Sequence, residues 1–309
     1  MRRRVWFAAK IILTIGLLLV VLRQVDLATL GKILSSLGIL PLGAAIVLTV
    51  ASVGVSCWRW HRVLHYLGLR ASLSSLFADT LVGATYNLIL PTSVGGDVAR
   101  AVRCGRRTET ADHAWASVAF ERVMGLLSLV LVSCVGLLAT FSEDQRQILI
   151  AAVIMAVCLA AGLAFAPAPL RLAARVDRLG AARLGESLER LAQAFAGPLA
   201  RPAARLETFA WSLVYQFVAL SILLVAGLGW TETDLVRAVY FGVPIALVAS
   251  MIPITVGGLG LRESLFVVVL EPFGVSAERA LALSFVWLAS NVLVGLMGLV
   301  PLLTDRSRG

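Results

Sequence analysis

The sequence predicts an all-α integral membrane protein with six crossings and two re-entrant broken-helix hairpins. These are arranged as inverted repeats, with both the N- and C-termini cytoplasmic. Three observations carry that expectation. Of 309 residues, 59% are hydrophobic and only 15% charged, against about 25% charged in a soluble domain. Six apolar stretches are long enough to span a bilayer alone. A Pro-x-x-x-Gly-Gly break occurs twice, each time after a further apolar stretch. A soluble globule and a disordered chain are both excluded. The formal charge of +9, with arginine supplying nearly all of the 27 basic residues, is read as membrane orientation rather than nucleic-acid binding.

The elements follow in order. Stretch 6–22 comes after Arg2, Arg3 and Arg4, and no small-residue cleavage site follows Leu22, so it is expected to remain as a first crossing. Further crossings are expected at 38–56, 115–140, 148–166, 208–229 and 278–303. Stretches 72–90 and 235–252 each run into a break and are expected to enter and leave on one face. That arrangement puts 19 basic residues inside and five outside (Arg23, Lys32, Arg146, Arg237, Arg279), with Arg100, Arg122 and Arg262 at membrane depth. A true span at 72–90 would place the arginine-rich segment 167–207 outside, against the positive-inside rule. This segment is expected as a cytoplasmic connection whose Leu184, Leu188, Leu191 and Phe195 form the apolar face of an amphipathic helix. Cys57, Cys104, Cys134 and Cys158 show no CxxC spacing and read as small membrane-helix residues.

The break is an internal repeat. Residues 91–100 read Pro-Thr-Ser-Val-Gly-Gly-Asp-Val-Ala-Arg, and 253–262 read Pro-Ile-Thr-Val-Gly-Gly-Leu-Gly-Leu-Arg, in one ungapped register. Three crossings separate the copies, so the first repeat, 1–140, and the second, 148–303, are expected to be inverted. Discontinuous helices in inverted repeats are the sequence signature of alternating-access transporters. Proline ends one arm of each hairpin. The glycine pairs Gly95-Gly96 and Gly257-Gly258 are expected to expose amides at a helix start, an anion-binding element. Arg100 and Arg262 add guanidinium forks suited to phosphate. Asp97 and Glu263 are their counter-charges. Glu121 and Arg122 lie about 9–10 Å into the third crossing, where charges are functional or paired. Asn87, one turn before Pro91, and Asn291 read as buried amides. Structural ion pairs alone would account for the same charges equally well, and the two readings are compatible.

Asn87-x-x-x-Pro91-x-x-x-Gly95-Gly96-Asp97-x-x-Arg100, then Glu121-Arg122, then Pro253-x-x-x-Gly257-Gly258-x-Gly260-x-Arg262-Glu263 resemble the flippase-like membrane region of the lysylphosphatidylglycerol synthases, the multiple peptide resistance factors. The resemblance implies translocation of anionic, aminoacylated or polyprenyl-phosphate-linked lipids across a bacterial cytoplasmic membrane. No segment resembles the aminoacyl transferase domain of the full synthases, so lipid aminoacylation is not expected.

The functional expectation is therefore a multi-pass lipid translocase (flippase) for a substrate with a phosphate headgroup. Arg100 and Arg262 would anchor it from opposite sides, with substrate contacts at Asn87, Gly95, Gly96, Asp97, Arg122, Gly257 and Gly258. Glu121 and Glu263 would serve as coupling groups or counter-charges. No P-loop, metal-ligand cluster or nucleophile motif is present, so neither enzymatic activity, a cofactor, a metal nor a nucleic-acid partner is expected. A lipid-modifying enzyme partner and a homo-oligomer are compatible with this reading. Two other classes stay open: a non-translocating accessory or enzyme subunit that binds a lipid-linked sugar, and a small-anion secondary transporter. A lateral opening towards lipid would separate a flippase from the latter.

Overall fold

The computed structural model describes residues 2–90, 95–140, 189, 193, 197–230, 234–250, 255 and 258–306. Among these residues the chain is all helical. The order is α1 (Arg2–Gln24), α2 (Leu27–Ser36), α3 (Ile39–Tyr66), α4 (Leu73–Ile89), α5 (Gly95–Thr108), α6 (Ala111–Thr140) and α7 (Pro202–Ala226). It continues with α8 (Leu235–Ser250), α9 (Leu261–Leu270), α10 (Ala277–Met297) and α11 (Leu299–Arg306).

Among the described residues, four helices are long and apolar enough to cross a bilayer: Ile39–Tyr66, Ala111–Val135, Pro202–Ala226 and Ala277–Thr304. They match four of the six expected crossings. A fifth arises if Ile12–Arg23 and Leu27–Ser36, which meet at 86°, count as one broken span. Helix α1 runs unbroken through the stretch expected to cross at 6–22, and the bend lies beyond it. The bend falls where Asp26 caps α2, accepting from the Ala28 amide at 3.0 Å and the Thr29 hydroxyl at 2.6 Å. The expected crossing 148–166, most of the connection 167–207, Pro91, Pro253, Gly257 and Cys158 lie outside the described residues. Helix α7 begins at Pro202, before the 208 expected for that crossing, with the proline at its first turn, where a missing amide costs nothing.

Both broken stretches yield arms too short to span. At 1.5 Å per residue, the 14 residues of α5 reach about 21 Å and the 10 of α9 about 15 Å, against a hydrocarbon core of about 30 Å. The α4–α5 pair is antiparallel: Asp79 meets Arg103 and Arg107 near one end, and Gly83 and Asn87 meet Gly96 near the other. The close approach is possible because Gly83 and Gly96 face each other. A Cβ on Gly96 would collide with the Gly83 carbonyl and the Asn87 side chain. In the second hairpin the chain turns through Gly258 and Gly260, with φ of +77° and +79°, a region nearly closed to residues with a Cβ. This turn rests on α1, where a Cβ on Gly260 would lie 2.8 Å from the Thr14 carbonyl oxygen.

The largest buried cluster joins α7, α8, α9 and α10 through Leu220, Leu223, Val243, Phe266, Leu270 and Leu283. A second cluster, with Trp60, Leu64, Leu76, Ala101 and Val118, joins α3 to the first hairpin and α6. Cys57, Cys104 and Cys134 are buried and outside any disulfide, which fits the small-residue reading.

Candidate functional site

A cavity of about 310 Å³ opens where α3, α4, α5, α6, α7 and α10 meet. Its charged wall is assembled from three helices. Glu121 on α6 is fully buried; its Oε1 accepts from Arg59 Nε at 2.7 Å and its Oε2 from Arg100 Nη1 at 2.8 Å. Asp97, one turn before Arg100 on α5, accepts from Arg100 at 3.0 Å and from Arg122. The result is an alternating chain, Arg59–Glu121–Arg100–Asp97–Arg122, in which each carboxylate meets two guanidiniums. An unpaired ion at this depth would cost several kcal/mol, so the pairing is what permits five charges here. Aromatic rings hold two of the arginines. Arg100 lies over Trp60 at 5.1 Å and Arg59 over Tyr215 at 5.3 Å. Arg59 also donates to Ser212 at 3.1 Å. The side chains of Arg59 and Arg100 are 8% and 10% exposed, whereas that of Arg122 is 37% exposed. Arg122 is thus the guanidinium that the cavity chiefly presents.

The structure brings Asn87, Gly96, Asp97, Arg100, Glu121 and Arg122 to this one cavity. Gly95 is buried at the start of α5. One expectation needs correction. The Gly96 amide is occupied by Asn87 Oδ1 at 2.7 Å, so the glycine pair serves the packing of the arms rather than offering Gly96 as a free donor. Asn87 and Asn291 are also exposed along the cavity, not buried. Glu121, with both oxygens engaged by arginines, has the geometry of a counter-charge.

Arg262 does not reach the cavity. Its guanidinium binds the neighbouring Glu263 and, at 3.2 Å, Ser284 on α10. Glu263 Oε2 accepts from the Gly260 amide at 2.6 Å and its Oε1 from the Ser284 hydroxyl at 3.1 Å. Arg262 and Glu263 are both buried, and Gly258, beside them, is a turn residue.

Three further groups escaped the sequence reading. Arg59, between Trp58 and Trp60, is one of the 19 basic residues counted on the inside above, yet it pairs with Glu121 at the cavity. Asp79 is fully buried in α4, bound by Arg103 at 2.7 Å and Arg107 at 2.8 Å. A lone acid in an apolar stretch was a usable signal for it. Gln216 on α7 lines the polar cavity and also a second, apolar groove of about 590 Å³ between α6, α7 and α8, walled by Leu131, Val135, Leu213, Phe217, Leu220 and Tyr240. Among the described residues, no three His, Cys, Asp or Glu side chains group as metal ligands.

Residues 7–298 match the family model of the lysylphosphatidylglycerol synthase TM region. The chain belongs to that family. The match covers the arginine-lined cavity and both hairpins. The chain is also 26% identical to the glycosyltransferase AglD of Haloferax volcanii, over 91% of this chain and 51% of that protein. It therefore spans about half the length of the curated relative it matches. Family and relative together indicate a multi-pass membrane protein with a lipid-related role.

Proposed function

We propose that this protein translocates a phosphate-bearing lipid between the leaflets of the bacterial cytoplasmic membrane, acting by binding and movement without covalent chemistry. One observation supports this reading above the others. A polar cavity rimmed by arginines adjoins an apolar groove, and the two share Gln216 as a common wall. A headgroup suits the first and a hydrocarbon chain the second, whereas a carrier of small soluble anions has no use for the groove. Arg122, with Arg100 behind it, would meet the phosphate, since guanidinium forks match phosphate oxygens. The second hairpin, with Arg262 closed onto Glu263 and Ser284, would be the shut side of the pathway in this conformation.

The test is reconstitution into liposomes with fluorescent phosphatidylglycerol and polyprenyl-phosphate analogues, read by leaflet accessibility. Equilibration faster than in empty liposomes is expected for at least one. Rates no faster than in empty liposomes for both probes would remove the proposal. A second reading draws on the relative named as a glycosyltransferase: the cavity would hold a lipid-linked sugar, without moving it, for a partner enzyme. It predicts saturable binding of such a lipid with no change in leaflet exchange.

A further inference from the structure

Gln216 stands on α7 at the seam with α6, where the polar cavity and the apolar groove meet. It is only 8% exposed, yet its amide is poorly satisfied. Its Nε2 donates to the Gly125 carbonyl at 3.4 Å, longer than an ordinary N–H···O bond, and that carbonyl already accepts from the Ser128 hydroxyl at 2.8 Å. Among the described residues, its Oε1 accepts no hydrogen bond. The nearby hydroxyls of Ser212 and Ser221 each hold a carbonyl of their own helix at 2.8 Å. A carboxamide carries two donor hydrogens and two acceptor sites, and leaving them unused in a buried place is destabilising. Packing alone would be served by an apolar side chain, as at the neighbouring Ala219 and Leu220. The geometry is that of an amide completed by a ligand.

The two sides of Gln216 limit what that ligand is. One side opens to the cavity that holds Arg100 and Arg122; the other meets the carbon surfaces of Leu213, Phe217 and Leu220. The ring of Tyr240 lies across the groove, stacked on Phe217 at 5.2 Å, with its hydroxyl tied to Ser221 at 2.7 Å. In a lipid, the group between phosphate and hydrocarbon is an ester link, whose oxygens accept hydrogen bonds and donate none. We propose that Gln216 binds this junction: Nε2 donates to an ester oxygen, the headgroup occupies the cavity, and the chain passes between α6 and α7 into the groove towards Tyr240. This inference rests on the lipid reading above and adds to it a contact residue and the route of the chain. The ester is the phosphoester of a polyprenyl phosphate or the glycerol ester of a diacyl lipid, and the experiment separates the two.

The purified full chain in neutral detergent is titrated with phosphatidylglycerol and with polyprenyl phosphate, each carrying a photoreactive diazirine on its chain, and the labelled peptides are mapped. For at least one probe, saturable labelling should fall on peptides holding Val135, Phe217 or Tyr240. Gln216→Leu should weaken binding of that probe about tenfold, the loss of one desolvated hydrogen bond. It should melt at or above the wild-type temperature, because a poorly satisfied buried amide is exchanged for carbon of similar size. Val135→Trp, at an exposed position lining the groove, should lower the labelling; Val268→Trp, exposed on α9 away from both cavity and groove, should not. A lower melting temperature for Gln216→Leu would make the amide a structural tie between α6 and α7 and overturn the proposal, as would unchanged affinity. Saturable binding with the label mapped outside the groove, or labelling indifferent to Val135→Trp, would overturn the route and leave the lipid reading standing. Failure of both lipids to saturate would overturn both.

Discussion

The two hairpins share Pro-x-x-x-Gly-Gly and a following arginine, yet they present that arginine to different surroundings. Arg100 looks across to Glu121 on α6 and joins a chain of five charges from three helices beside a cavity. Arg262 turns back to the next residue in sequence, and with Ser284 forms a small, neutral, buried cluster. The motif therefore supplies a charge early in the second arm of each hairpin. What the charge does depends on the helix opposite. In the first half that helix brings Glu121-Arg122; in the second, α10 brings Ser284, a hydroxyl that completes the pair without adding charge.

The largest expected effect breaks the first cluster. Glu121→Gln leaves Arg59 and Arg100 buried without their shared anion, and should cost about 3–5 kcal/mol of stability in detergent unfolding. Unchanged stability would mean that the charge chain is not a packing element. A crossed pair of variants sharpens the contrast. Arg262→Gln should lower stability, by leaving Glu263 short of its guanidinium, with little change in lipid capture. Arg122→Gln should lower lipid capture about tenfold or more with little change in stability. The reverse pattern would exchange the roles assigned to the two hairpins.

Next come the glycines. Gly96→Ala forces the arms of the first hairpin apart against the Gly83 carbonyl, and should cost about 1–3 kcal/mol. Gly260→Ala adds unfavourable left-handed backbone, about 1–2 kcal/mol, to a collision with α1. Sidedness is tested with Glu109→Cys, an exposed position between α5 and α6, in a chain lacking its native cysteines; Cys104 itself is too buried to report. Under the cytoplasmic entry of the first hairpin, an impermeant thiol reagent should label it in inside-out vesicles but not in intact cells. The smallest effect concerns Arg62, whose partly exposed pair with Glu207 joins α3 to α7 at 2.6 Å. Arg62→Ala should cost about 1 kcal/mol or less.

The helices and breaks were legible because hydropathy and Pro/Gly punctuation are local. Asp97 with Arg100, and Glu263 with Arg262, were legible for the same reason, lying within one turn of each other. Arg59 was not, because only the packing of α3 against α6 and α7 carries it to a glutamate 62 residues away. The use of the Gly96 amide was equally hidden. Nine residues separate it from Asn87, and sequence does not say that the arms fold back in that register. The groove shared at Gln216 is a property of three helices together, and no single one announces it.

The contact of Gly83 with Gly96, backbone against backbone and tied by Asp79 to Arg103 and Arg107, has a mechanical consequence. With its arms tied at these two levels, any movement of the first hairpin would carry α4 and α5 together rather than as two independent rods. The turns that bound it carry left-handed backbone, with Gly68 at φ +76° and Glu109, a non-glycine, at φ +57°. If lipid transport requires that movement, a disulfide stapling α4 to α5 would leave transport intact, while one tying α5 to α6 would arrest it.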